Sequence, residues 1–222
     1  MPTIFNKPYN FIIFDLDGTI INSLPLWLEI FNSVFERRNI KLTKEKIIEI
    51  AFYHNERLED LEIIDTKAFW AEVREIAEER LIEATLFEGV TDLLINLKQN
   101  GIKLGIYTGT IKKAVNNVLQ KYQLEEFFNL ILTTDDVTNR KPHPEGILTA
   151  CEKVNIPLNS SILIGDSMVD YQTAQNANID FALFQPPENQ PYILSTDLKI
   201  LDKAEIIRFK SFKDLLKLNH QR

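Results

Sequence analysis

Asn10-Phe11-Ile12-Ile13-Phe14-Asp15-Leu16-Asp17-Gly18-Thr19 is the stretch from which the fold is read. Four apolar, β-prone residues run without alternation and stop abruptly at a carboxylate. Such a run suits a short strand buried on both faces, as in a parallel sheet covered by helices. The residues after it, two acids and a glycine, suit a tight polar turn.

The same arrangement recurs downstream. Strand Lys103–Tyr107 is followed by Thr108-Gly109-Thr110. A strand over 130–133 leads to a polar loop ending in Arg140-Lys141-Pro142-His143-Pro144. A strand over 161–164 runs into Gly165-Asp166-Ser167, and another covers 181–184. Helices are predicted between them, near 90–99, to about Tyr122, to about Asn155 and near 168–177. The first of these stops at Asn100-Gly101, a usual C-terminal signal. A last strand over 206–209 and a last helix over 212–218 complete the reading. Alternating strands and helices imply an α/β fold, a parallel sheet with helices on both faces.

Between Ser23 and Leu86 the texture differs. No glycine occurs between Gly18 and Gly89, and no proline between Pro25 and Pro142. Leu24, Trp27, Leu28, Phe31, Val34 and Phe35 recur at helical spacing, as do Trp70, Val73, Ala77, Leu81 and Ala84. Shorter helices are expected near 43–52 and 56–63. The block holds 14 acids and 9 bases, and so carries most of the chain's net charge of −7. It reads as an α-helical domain over residues 23–86, inserted into a core made of 1–22 and 87–222.

Composition narrows the function classes. With 222 residues and 45% hydrophobic content, the chain can bury a large core. One cysteine cannot make an internal disulfide, which suits a reducing, cytoplasmic setting. No apolar run approaches the ~18 residues of a membrane span. The acidic balance argues against nucleic-acid or anionic-membrane partners, which need clustered Lys and Arg. A monomer or homodimer acting on a small molecule is expected.

In open parallel sheets, ligands bind beyond the carboxyl ends of the strands. Here those ends carry Asp15 and Asp17, Thr108 and Gly109, and Asp166 with Asp170, while Lys141 closes a loop after a fourth strand. Several carboxylates share a pocket in ionised form only with a cation, because like charges repel strongly at low dielectric. A hard divalent ion such as Mg²⁺ answers that need with oxygen ligands. A lysine and free backbone N–H groups add the positive field for a phosphate. The set suggests phosphoryl chemistry, with an acidic nucleophile or a metal-activated water.

In order and content these pieces resemble the four motifs of the haloacid dehalogenase superfamily. Phe14-Asp15-Leu16-Asp17-Gly18-Thr19 is similar to the first motif and Tyr107-Thr108-Gly109 to the second. Lys141-Pro142 is similar to the third, and Gly165-Asp166-Ser167 with Asp170 to the fourth. The resemblance spans about residues 10–185 and implies a Rossmann-like core. It implies that Asp15 is the nucleophile, forming an aspartyl-phosphate, and that Asp17 is the general acid/base. Thr108 and the Gly109 N–H would hold phosphate oxygens, and Lys141 would offset the charge shared by Asp15 and phosphate. Asp15, Asp166, Asp170 and the Asp17 main-chain carbonyl would hold magnesium, with Asp170 acting directly or through waters. The acid at Asp17 favours phosphate-ester hydrolysis over dehalogenation. The β-phosphoglucomutase kind keeps both aspartates, so a phosphomutase stays open, as does a non-catalytic domain that binds a metabolite. The helical block matches the family's cap, placed as in phosphoglycolate-phosphatase-like members.

Other polar residues have plainer readings. Asp135 and Asp136 suit a turn, and His143 suits loop architecture. His54, Asn55 and Arg57 read as a solvated polar helix end. Cys151 reads as a small buried residue, Trp27 and Trp70 as core of the inserted helices. The segment 185–194, with three prolines, reads as a cover for the sheet edge.

Overall fold

The computed structural model describes residues 8–53 and 55–219. Strand β1, Phe11–Phe14, enters the loop with Asp15 and Asp17. The chain then makes a two-residue strand β2, Ile21–Asn22, and helix α1, Leu24–Arg37. Helix α2, Lys44–Ile47, runs straight into a π-helical turn over Ile48–Tyr53. A 3-10 segment over Asn55–Leu61 and helix α3, Thr66–Arg80, follow. Strand β3, Thr85–Leu86, pairs antiparallel with β2. Among the described residues, the regular elements between this pair are all helical, in α, π and 3-10 forms, with short connections.

The remaining chain alternates. Helix α4 is Val90–Gln99, β4 is Lys103–Tyr107, α5 is Lys112–Tyr122 and β5 is Leu130–Leu132. Helix α6 is Glu145–Val154, β6 is Ser161–Gly165, α7 is Met168–Ala177 and β7 is Asp180–Phe184. A 3-10 turn over Pro187–Tyr192 precedes helix α8, Ser195–Leu201. Strand β8, Ile207–Phe209, and helix α9, Phe212–Asn219, end the described chain.

Six strands form one sheet in the order β5-β4-β1-β6-β7-β8. Every pairing in it is parallel. This is the α/β fold expected from the alternation. All four residues of β1 are buried, and they divide between two cores. Ile12 and Phe14 face one apolar cluster; Phe11 and Ile13 face another on the opposite side. The unbroken apolar run therefore follows from helices covering both faces.

The first cluster continues from the sheet into the inserted helices, through Ile21, Leu26, Ile30 and Phe31 to Phe69 and Val73. Phe31 lies edge-on to Trp70 at 5.9 Å, and Phe35 packs on Phe69 at 5.2 Å. Trp70 thus belongs to the core of the helices, as expected. The expected helix near 43–52 is instead α2 joined to a π-turn, and that near 56–63 is 3-10 over Asn55–Leu61.

Candidate active site

The sheet order places β1 between β4 and β6, where the winding of the chain reverses. Crevices at such switch points are the usual ligand sites of open α/β sheets. The ends of β4, β1 and β6 are therefore adjacent, and they carry Thr108, Asp15 and Asp166. Asp15 extends the ladder by one bond, donating its N–H to the Ile164 carbonyl at 2.8 Å. Gly18 follows with φ +72°, and a Cβ there would collide with the Asp166 carboxylate. The turn after β1 thus packs directly on the residue that ends β6.

Three carboxylates meet here. Asp15, Asp166 and Asp170 each offer an oxygen, all within 4.8 Å of one another, and all three residues are buried. The loop after β5 brings Lys141 between two of them. Its Nζ lies 2.7 Å from Asp15 Oδ1 and 2.7 Å from Asp170 Oδ1. The ammonium also stands 5.0 Å from the ring centre of Tyr107. Asp170 is held from its other oxygen by a capping box at the start of α7. Ser167 Oγ donates to Asp170 Oδ2 at 2.5 Å, and the Asp170 N–H donates to Ser167 Oγ at 3.2 Å.

One ammonium does not balance three buried carboxylates. Burial, reinforced by the charges of Asp170 and Asp17, pushes Asp15 up to about 7 although Lys141 pulls the other way. Burial, with the charges of Asp170 and Asp15, holds Asp166 well above the usual carboxylate range. Burial works to lower Lys141, but the Asp15 and Asp170 carboxylates outweigh it and keep its ammonium above the ordinary lysine value. The deficit is one of positive charge. Hard carboxylate oxygens converging under such a deficit suit a divalent cation.

Asp17 stands apart from this cluster. Its carboxylate is half-buried and is held by neutral donors. Ser23 Oγ and Trp27 Nε1 donate to Oδ1 at 2.7 and 2.6 Å, and Thr110 Oγ1 donates to Oδ2 at 2.6 Å. Thr108 Oγ1 is 3.5 Å from the same oxygen, at the limit of a hydrogen bond. Thr108 is buried and accepts from the Thr110 N–H at 3.1 Å. The residue that caps α5 is Ile111, so Thr108 is not used as a helix cap. A Cβ at Gly109 would meet no described atom within 4 Å, which leaves its backbone open to a ligand.

Two plainer readings need correction. Trp27 packs its ring on Phe31 at 5.8 Å, as a core residue should, but its indole N–H is spent on Asp17. The 185–194 segment does more than cover an edge. From it, Asn189 reaches the centre, where Nδ2 donates to the Gly18 carbonyl at 2.7 Å and to Asp166 Oδ2 at 2.9 Å. Ser23, Trp27, Thr110 and Asn189 were all missed as site residues. Thr110 was findable as the second threonine of Thr108-Gly109-Thr110, and Ser23 and Trp27 share an i, i+4 face. No local signal marks Asn189. The plainer readings of Asp135, Asp136, His143, Cys151 and Arg57 agree with their contacts. Asp136 forms a capping box with Thr133, Asp135 accepts from the Lys112 N–H, and His143 Nδ1 accepts from the Glu145 N–H. Cys151 is buried, and Arg57 pairs with Glu49 and Asp60. His54 lies outside the described residues.

A parallel sheet whose strand ends gather Asp15, Thr108, Lys141 and Asp166 defines a class before it defines a protein. The family model for haloacid dehalogenase-like hydrolases matches residues 12–184, and the chain belongs to that family. Among its relatives, pyrophosphatase PpaX of Oceanobacillus iheyensis is 32% identical over 177 residues, covering 77% of this chain and 81% of that protein. A crystal structure from Lactobacillus plantarum, provisionally described as a phosphoglycolate phosphatase, superposes with a TM-score of 0.81 at 26% identity. It covers 96% of this chain and 100% of that one. A Bacteroides fragilis structure, provisionally described as a haloacid dehalogenase-like hydrolase, gives 0.80 at 25% identity, covering 94% and 99%. Among the described residues, no helix is long and apolar enough to cross a membrane.

Proposed function

We propose that this hydrolase is a magnesium-dependent, cytoplasmic phosphatase that hydrolyses a phosphate monoester of a small metabolite through an aspartyl-phosphate. The observation that carries the reading is the convergence of Asp15, Asp166 and Asp170 with Lys141 bridging two of them. Asp15, Asp166, Asp170 and the Asp17 main-chain carbonyl would hold Mg²⁺, which when bound neutralises charge on the carboxylates and on the phosphate.

Asp15 attacks phosphorus and the bond to the leaving oxygen breaks, so the phosphoryl group passes to the carboxylate. Asp17 gives its proton to the leaving oxygen. It then takes a proton from water, which attacks the aspartyl-phosphate, frees phosphate and restores Asp15. The Thr108 hydroxyl and the Gly109 N–H hold phosphate oxygens. Lys141 offsets the charge that Asp15 and phosphate share.

The inserted segment, residues 23–86, acts as a cap on the core of 1–22 and 87–222. Three contacts support this reading: Ser23 and Trp27 each hold Asp17, and the Tyr53 hydroxyl donates to the Tyr192 carbonyl at 3.0 Å. A cap of this kind excludes water and reads the leaving group.

The similarity to proteins named pyrophosphatase PpaX favours a second substrate, pyrophosphate, acted on by the same residues. The test is phosphate release from a panel of monoesters and pyrophosphate, with and without Mg²⁺. Release that needs Mg²⁺ and vanishes in Asp15→Asn is expected. A purified protein that releases phosphate from none of them, or an active Asp15→Asn, overturns the reading. Interconversion of sugar phosphates with little net release would instead mark a phosphomutase, and binding without turnover a metabolite-binding domain.

A further inference from the structure

The turn over Pro187–Tyr192 is engaged at both ends, and neither engagement belongs to the four motifs. At one end Asn189, fully buried, meets one main-chain carbonyl and one carboxylate of the site. Its Nδ2 donates both hydrogens, one to the Gly18 carbonyl and one to Asp166 Oδ2. The reversed amide would set its oxygen against two acceptors, so the donor orientation is the only one that satisfies them. At the other end, the inserted helices grip Tyr192. The Tyr53 hydroxyl donates to its carbonyl, Phe52 stacks on its ring at 6.2 Å, and Lys44 Nζ stands 4.6 Å above that ring.

Asn189 lies 171 residues from Gly18 and 23 from Asp166. It ties the turn after β1 to the end of β6, the two pieces that carry Gly18 and Asp166. The same amide carries Oδ1, buried and without a hydrogen-bond partner among the described residues. Polar atoms buried without a partner are uncommon and call for a reason. An acceptor beside a cation site has one: it can take a hydrogen from a cation-bound water.

We propose that Asn189 is a positioning residue for the cation site, fixing Asp166 and the Gly18 turn in the arrangement that binds a divalent ion. The proposal rests on reading Asp166 as a metal ligand. Groups that orient metal ligands typically account for tenfold or more in affinity.

The test is calorimetric titration of the metal-free protein with Mg²⁺, comparing wild type, Asn189→Leu and Asp166→Asn. Leucine keeps the branched outline and removes both donors. Binding about tenfold weaker in Asn189→Leu is expected, with most of kcat returning at saturating Mg²⁺. A purely structural role would lower metal-free thermal stability and leave Mg²⁺ affinity unchanged, and that result overturns the proposal. So does a loss of kcat that Mg²⁺ does not restore. If wild type and Asp166→Asn bind Mg²⁺ alike, the ligand reading fails first and the proposal falls with it. Should Asn189→Leu not fold, the Asn189 side-chain amide signals of ¹⁵N-labelled wild type decide. Signals that shift on saturation with Mg²⁺ support the proposal, and unmoved signals overturn it.

Discussion

Asp15, Lys141 and Asp170 form a buried ionic group in which one ammonium bridges two carboxylates, so a single substitution there disturbs two ion pairs. Removing one partner of a buried ion pair leaves an uncompensated charge. Lys141→Met should therefore destabilise the metal-free protein by about 3–5 kcal/mol at pH 8 and above, where Asp15 is driven to ionise, measured by urea denaturation. The loss should shrink at pH 5, where Asp15 can take up a proton. An equal loss at both pH values would contradict the charge argument. Trp27→Phe tests a different link. It keeps the ring against Phe31 and deletes one donor to Asp17. A hydrogen bond to a carboxylate contributes about 1.5–3 kcal/mol to the fold, so thermal stability should fall by that order, and kcat should fall with it because Asp17 is less firmly oriented. At this scale Asp15, Asp17, Thr108, Gly109, Asp166 and Asp170 were legible because each sits within a few positions of a strand end, and Lys141 because Pro142 follows it in the loop after β5. The donors that hold them were not. Trp27 looks like any apolar helix residue, and Asn189 reaches Gly18 only through the folded chain.

Elements with strong periodicity and clear punctuation were read almost to the residue. Strand Lys103–Tyr107 and helix Val90–Gln99 fall where apolar pattern and Asn100-Gly101 place them. The two-residue strands Ile21–Asn22 and Thr85–Leu86 were not foreseen, since two residues carry no period. The π-turn Ile48–Tyr53 was read as plain helix, because one added residue per turn barely alters the apolar spacing. Glycines at the element ends permit a controlled comparison. Gly18 and Gly101 both have positive φ, +72° and +75°, but only Gly18 faces a neighbour. Alanine at either should cost about 1–2 kcal/mol of backbone strain. Gly18→Ala should cost more and weaken Mg²⁺ binding, because its Cβ displaces the Asp166 carboxylate. Denaturation and metal titration of the two variants isolate that difference, and equal behaviour would refute the contact.

Across the whole molecule, negative charge is concentrated twice, in the helical segment over 23–86 and in the three carboxylates at the strand ends. The second concentration ties stability to pH. Asp15 sits near 7 and Asp166 is also raised, whereas in the unfolded chain both titrate in the ordinary carboxylate range. Between those ranges the folded state holds more protons than the unfolded one. Stability therefore falls as pH rises, by about 1.4 kcal/mol per pH unit for each proton retained. The advantage is complete below the unfolded value and is gone once pH passes the folded one. A divalent cation acts in the opposite sense, since it binds the ionised carboxylates that high pH produces. The melting temperature of the metal-free protein should thus decline from pH 5 to pH 8. The rise caused by Mg²⁺ should be small at pH 5 and large at pH 8. Differential scanning fluorimetry across that range, with and without Mg²⁺, measures both. A Mg²⁺ effect of equal size at the two ends would mean that the buried carboxylates do not set the charge deficit of the site.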